Sequence, residues 1–492
     1  MTLTRRLAEK GKQNANVCVH LDCGLLARPR PLGVSRPSRG PRGGRVPGGR
    51  GQQGHHAART DLDGGLRRRT RPSDEVLHAL HAKALALRDQ RGERLVIVTA
   101  DLIALPRDLC NQVADQARKK HGLERRQLLF NASHTHAGPV VWRNLDFLLE
   151  GGPAEREKVV RYRERLADDL TEVIDKSLAD LAAATLAVGH GQVGFAVNRR
   201  QPTEKGFRIG VNPAGPVDHD VPVLRIASPD GKVRAVLFGY ACHNTTQGGN
   251  NYRINGDYAG FAQTELEKLV PGATAVFMIL CGGNQNPGPR GTTEIAEQYG
   301  KALAGQVKRV LDGELKAIRP AIRSAFGEVD LEFTQPTRAW LEEEAKSTNR
   351  FRKRRAESVL AAMDAGKPVR HLTVPVQAAA LGEGLAIAAM GGEVVVEYAL
   401  RLKRAFPRTD LVVAGYSNDV PAYIPSRRML GEGGYEPIES MIYYGHPGPF
   451  TDTVEETMIA ACRRVLAAVG CQATGPDEPI VPAPAPAKGD AP

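Results

Sequence analysis

The chain has 492 residues, 41% hydrophobic and 25% charged, with seven cysteines and no CxxC pair. This is a soluble globular composition with room for one large or two ordinary domains, and it excludes a disulfide scaffold. No apolar run approaches the ~20 residues that span a membrane, and no signal peptide is visible, because Met1–Lys12 is charged and no apolar stretch follows it.

The formal net charge of +12 lies in one place. Residues 1–72 hold 16 Lys or Arg against four acids, a surplus equal to the whole net charge, and the remaining 420 residues balance at 51 bases and 51 acids. A surface selected for nucleic acid carries its charge on the folded body, so no nucleic-acid partner is expected. Within 1–72, SRPSRGPRGGRVPGGRGQQGHH lacks apolar periodicity and cannot offset its ordering entropy. The segment is expected to be disordered, or the product of a misassigned start or reading frame.

Order begins near Pro72. RLVIVTADLIAL (94–105) reads as a β-branched strand, Pro106 opens a helix that Gly122 closes, and QLLF (127–130) ends a second strand. Residues 153–185 form a charged helix or helix pair. Strands follow near 187–197 and 221–228, then VRAVLFGYACHN (233–244), a helix from Asp257, ATAVFMILCGG (273–283) and a helix over 293–311. Residues 338–365 form a charged helical excursion. LAIAAMGGE (385–393) and DLVVAGYSND (410–419) are further apolar runs, a last helix covers about 452–469, and a Pro/Ala-rich tail occupies 471–492. The expected fold is α/β: one large domain over 73–470, a mixed sheet flanked by helices, and no C-terminal immunoglobulin-like domain. Cys242 and Cys281 are expected to be small buried hydrophobes.

Buried strands repeatedly end in candidate ligands. NASHTHAGP (131–139) follows a strand, and two histidines at i and i+2 on an extended segment point to one side. His243, the loop CGGNQNPG (281–288), Glu393, and the segment with Tyr416 and Tyr423 stand after other strands. Strand ends let side chains converge at one sheet edge. Three N or O donors with an open position is the usual catalytic zinc arrangement, and His with carboxylate suits zinc over calcium or magnesium. Each residue alone also has a plain structural reading: His243 as a core histidine, Glu393 as a solvated turn residue, Tyr423 as a packing residue. HExxH is absent, and CGGNQNPG lacks the GK[ST] of a phosphate loop.

The local sequences and their order resemble a family. HTHAGP (134–139) is similar to the His-Thr-His-Ser-Gly-Pro motif of the neutral/alkaline non-lysosomal ceramidases. VNRR (197–200) resembles their Asn-Arg-Ser-Pro, ACHNTT (241–246) their Cys-His-Pro-Thr, and NGDYAG (255–260) an Asp-containing loop. GGEVVVEYALRLKR (391–404) resembles their Gly-Glu-Phe segment. AYIPSRRMLGEGGYEP (422–437) resembles a stretch with two tyrosines twelve apart, here Tyr423 and Tyr435.

The resemblance covers the N-terminal catalytic domain, over about 73–469, and marks a divergent member. It implies a zinc-dependent hydrolase of N-acyl bonds. His134, His243, Glu393 and Tyr423 would be the metal ligands, and His136, Arg199 and Tyr435 would line the reacting centre. Zinc would activate a water, lowering its pKa toward ~7. Asp257 and Asn286 are further candidates. Asn286 stands where the family has a serine and cannot act as a nucleophile, which favours the zinc-activated water over an acyl-serine route.

The implied partner is a small or lipid N-acyl substrate, with peripheral membrane contact as in exported or membrane-associated members. The family's first strand is not legible before residue 72. The alternatives are a non-catalytic or differently specific metal-binding protein of the same fold, and a barrel-type metal-dependent amidohydrolase, where HxH also occurs.

Overall fold

Strand faces explain the long apolar runs. In Arg94–Ala100, Val96 and Val98 enter one buried cluster while Leu95 and Ile97 enter another. In Leu385–Met390, Ala386, Ala388 and Met390 pack on one side, and Leu385, Ile387 and Ala389 on the other. Successive residues of a strand face opposite ways, so a strand covered on both sides reads as unbroken apolar sequence.

The computed structural model describes residues 73–141 and 153–481, and the backbone of 15–25. The large sheet contains β1 (Ala15–Leu25), β2 (His81–Arg88), β3 (Arg94–Ala100), β4 (Leu128–Ala132), β5 (Ala182–Gln192), β6 (Asp220–Ala227), β7 (Val233–Tyr240) and β8 (Thr274–Ile279). Their order is β8-β7-β6-β5-β1-β2-β3-β4, with Lys316–Ile318 pairing on β5. β3/β4 and β7/β8 are parallel pairs and the other neighbours are antiparallel. A second sheet runs β9 (Pro320–Glu332), β10 (His371–Gly382), β11 (Leu385–Met390) and β12 (Asp410–Ala414), with only β11/β12 parallel.

The sheets stack on each other through Leu85, Ile97, Leu129, Met278, Leu381 and Ile387 among others. Helices cover the outer faces. α1 (Arg107–His121) and α2 (Pro153–Ala179) lie over β2–β4, while α3 (Asp257–Leu269) and α4 (Thr293–Asp312) lie over β6–β8. α5 (Val396–Ala405) and α6 (Val454–Ala468) cover the second sheet.

The α/β class and mixed pairing agree with the sequence reading, but there are two stacked sheets where one was expected. A strand face covered by a sheet and one covered by a helix carry the same apolar signature. The antiparallel neighbours do not match an all-parallel barrel.

β1 departs from the expectation for 1–72, since it fills the slot between β2 and β5. ANVCVHLDCGL does alternate at period 2, and its Gly/Arg/Pro-rich surroundings masked that signal. The rest of that expectation, for 1–14 and 26–72, lies outside the described residues. The C-terminal segment is held as far as Glu478: Thr474 and Gly475 donate N–H to Ala405 O, Arg401 donates to Asp477, and Arg404 donates to Glu478 O. The expectation for 482–492 lies outside the described residues. Cys242 and Cys281 are buried thiols, as expected. No helix among the described residues is long and apolar enough to cross a membrane.

The two ends of the large-sheet path, β4 and β8, meet through one side chain. Asn131 is fully buried; its Nδ2 donates toward Ile279 O (3.2 Å), Gly415 O (3.0 Å) and Ser417 Oγ (3.1 Å), and its Oδ1 accepts Ile279 N–H (3.0 Å). Asn131→Ala leaves several buried polar groups unpaired and should cost about 2–5 kcal/mol, read as a lower urea midpoint with an unchanged m-value.

Candidate active site

β4 ends at Ala132, and the chain then turns. Ser133 and His134 donate N–H to Ala100 O and Leu102 O, and His134 takes φ +60°. The expected extended His-Thr-His is therefore not formed, because backbone bonds to 100–102 draw the segment out of the strand. The histidines still converge, with their Nε2 atoms 3.0 Å apart. Thr135 Oγ1 donates to Asn255 O and accepts Ala137 N–H, which fixes the turn.

The tautomers follow from the partners. His134 Nδ1 lies 2.8 Å from Ile103 O, and His243 Nδ1 lies 2.7 Å from Gly282 O. A carbonyl only accepts, so each Nδ1 carries the proton and each Nε2 presents a lone pair. Both Nε2 atoms face Glu393 Oε2, at 3.1 and 3.0 Å. His243 is neutral at pH 7: burial, and then the Arg199 charge, push it down to about 4.

Three acceptors thus converge, with 2% of His134, 1% of His243 and 4% of Glu393 exposed. Oε2 has no hydrogen-bond donor. An orphaned carboxylate oxygen between two imidazole lone pairs fits a cation, and this donor set suits zinc. His134, His136 and His243 also form a group whose ligand atoms lie within 4.8 Å of one another.

The remaining predicted residues surround this point. Tyr423 pairs with Glu393 in a short parallel ladder, and its hydroxyl lies 3.1 Å from His243 Nε2. The backbone there is close-packed, since a Cβ on Gly283 would sit 2.6 Å from Glu393 O. Arg199 is buried; its Nε donates to Glu436 Oε1 (2.8 Å) and its guanidinium to Asn286 Oδ1 (3.3 Å). That guanidinium lies 5.3 Å from the Tyr423 ring and 5.7 Å from the Tyr435 ring. Tyr435 opens a π-helical turn, Tyr435–Glu439, and meets Tyr423 edge-on at 5.3 Å.

Asp257 faces elsewhere. Its carboxylate accepts N–H from Thr246, Gln247 and Tyr258, which braces the loop after His243.

Sequence reasoning did not identify Tyr444, whose hydroxyl donates to Glu393 Oε1 at 2.5 Å, or Glu436, which clamps both Arg199 and Arg200. Tyr416 was noted only as part of its segment. Its ring packs 4.5 Å from His134 and its hydroxyl lies 3.4 Å from His243 Nδ1. Loop residues carry no periodicity. The available signals were an acid directly after Tyr435 and an aromatic pair before Gly445.

The sequence profile described as neutral/alkaline non-lysosomal ceramidase, N-terminal, matches residues 68–303. Over those residues, just under half of its length, the chain is similar to this ceramidase family. It is 27% identical to the neutral ceramidase of Mycobacterium tuberculosis over 207 residues, 39% of this chain and 31% of that protein. It is 25% identical to the neutral ceramidase of Pseudomonas aeruginosa over 252 residues, 46% and 36% of the two chains.

The matched segment thus spans about a third of the length of these curated relatives. The crystal structure of the P. aeruginosa neutral ceramidase shares the fold, with a TM-score of 0.62 at 18% identity over 86% of this chain and 75% of that one. The ceramidase profile ends before Glu393, Tyr423 and Tyr435, whose place beside the histidines rests on the geometry above.

Burial sets a pH dependence. His446, whose Nε2 lies 2.8 Å from Pro421 O, is pushed down to about 4 by burial, like His243. The unfolded chain takes up protons near the ordinary histidine value of ~6.5, while these folded-state groups do so only near 4. The stability they contribute is fully present above ~6.5 and is lost as pH falls toward 4, by about 1.4 kcal/mol per unit for each group. Urea midpoints measured at steps from pH 7 to 4 should fall, and His446→Asn should flatten the slope.

Proposed function

We propose that this chain is a zinc-dependent hydrolase of N-acyl amide bonds, with residues 73–470, joined by β1, as its catalytic domain. The observation that carries this reading is the convergence of His134 Nε2, His243 Nε2 and Glu393 Oε2 on a buried point where no proton satisfies Oε2. His134, His243, Glu393 and Tyr423 would hold the metal. When bound, zinc supplies Lewis acidity and lowers the pKa of water toward ~7.

The chain's own groups divide the remaining work. His136 is the less buried histidine, and its Nε2 is in reach of the site, so it moves a proton to the leaving amine. Arg199 is fixed by Glu436 and Asn286, and Tyr435 stands under its guanidinium; together they stabilise the developing oxyanion. Fixed donors act without reorganising during the reaction, which is why the buried Arg199–Glu436 pair matters. Asn286 orients Arg199 and does not attack the substrate. Asp257 and Tyr416 are supports.

The substrate class is a lipid N-acyl amide of the sphingolipid type. The relatives' names as neutral ceramidases support this, as does the shared fold, at TM-score 0.62, with a solved ceramidase complexed with C2.

The test pairs metal content with hydrolysis of N-acylsphingosine and simpler N-acyl amides. Wild type should hold roughly one zinc per chain, and His134→Ala should lose both zinc and activity. His136→Ala should keep zinc while kcat falls about 10²- to 10⁴-fold. Full hydrolysis by metal-free His134→Ala would sink the zinc reading. Loss of zinc from His136→Ala would move that residue from proton transfer to the ligand set.

A further inference from the structure

Glu393 uses its two oxygens differently. Oε2 faces the imidazoles of His134 and His243, while Oε1 accepts a 2.5 Å hydrogen bond from the Tyr444 hydroxyl. We infer that Tyr444 is a positioning residue for Glu393: by occupying Oε1 it leaves Oε2 turned toward the metal-binding point. The inference rests on the zinc reading above and adds to it a residue outside the proposed ligands.

The physical need is clear from the side chain. The last torsion of a glutamate is broad and roughly two-fold, so packing alone does not decide which oxygen points where. A directional donor on one oxygen does decide it. Ligating carboxylates are themselves hydrogen-bonded, and such outer partners set metal affinity. Tyr444 can do this because it is held from several sides. It ends the short helix Met441–Tyr444, which Gly445 closes at φ +73°. Its ring stacks on His446 at 6.0 Å with a 6° interplanar angle, and His446 is tied to Pro421 O. On the other side it meets the Tyr423 ring edge-on at 6.5 Å. The phenol therefore reaches Glu393 from a fixed frame that also carries Tyr423, across the ladder from Glu393.

The test is Tyr444→Phe, which removes only the hydroxyl and keeps the ring contacts. Tyr240→Phe is the control for losing a buried tyrosine hydroxyl that bonds only backbone, at Val193 O and Ala196 N–H. Zinc affinity is read by competition with a chromogenic chelator, and the fold by thermal unfolding of the zinc-free proteins. Tyr444→Phe should bind zinc about 10- to 100-fold more weakly than wild type, with an unchanged KM at saturating zinc. Its kcat at low zinc should recover as zinc is added, and Tyr240→Phe should bind zinc like wild type.

Zinc affinity of Tyr444→Phe within about threefold of wild type, below the range expected for an outer partner, would overturn the inference and leave the zinc reading standing. An equal weakening in Tyr240→Phe would overturn it too, by showing a general loss of structure. A wild type that holds no zinc would overturn both.

Discussion

The buried carboxamide of Asn131 is the interaction on which the geometry depends. It shares its two N–H groups among Ile279 O, Gly415 O and Ser417 Oγ, and takes Ile279 N–H on its oxygen. Three segments meet there: β4, which leads to His134; β8, which leads to Gly282–Asn286; and the turn after β12, which carries Tyr416. Only a side chain with both donors and an acceptor satisfies all three. An aspartate of the same shape would donate nothing, and a leucine would take both bonds from Ile279, leaving only the Ser417 Oγ bond to Gly415 O.

Around that knot the backbone is strained where the site needs it. The non-glycine residues with positive φ among those described are His134, Asp257, Tyr416 and Asn418. Such conformations cost on the order of 1–3 kcal/mol each and persist only when over-determined. Each is pinned: His134 N–H to Leu102 O, Tyr416 N–H to Gly392 O, Asn418 N–H to Phe130 O and Asp257 N–H to Asn255 Oδ1. Separate side-chain bonds, from His134 Nδ1 to Ile103 O and from His243 Nδ1 to Gly282 O, set the imidazole tautomers. Burial then keeps His243 neutral, so its Nε2 turns a lone pair and not a proton toward Glu393. Packing, strain and electrostatics thus lead to one buried cluster of unprotonated donors.

Much of this was legible in the sequence. Apolar runs located β3, β4, β7, β8, β11 and β12, because those strands are covered on both faces. The proposed ligands His134, His243, Glu393 and Tyr423 follow strand ends and lie together, as do His136, Arg199 and Tyr435. Other features had no local signal. The His-Thr-His segment reads as extended, yet long-range bonds turn His134 left-handed. One expected sheet became two, since an apolar face does not say what covers it. β1 was hidden by the composition around it. Tyr444 and Glu436 are single polar residues in irregular segments, and only tertiary contacts reveal what they touch. Asp257 showed the converse: its motif marks a conspicuous acid, and folding turns it to brace a loop.

Anomalous diffraction at the zinc edge, on crystals of the full chain grown with zinc, tests the central claim most directly. One strong peak is expected, bounded by His134 Nε2, His243 Nε2 and Glu393 Oε2, with Tyr423 beside it. A peak elsewhere, or none at that point in zinc-loaded crystals, would contradict the site as a metal centre.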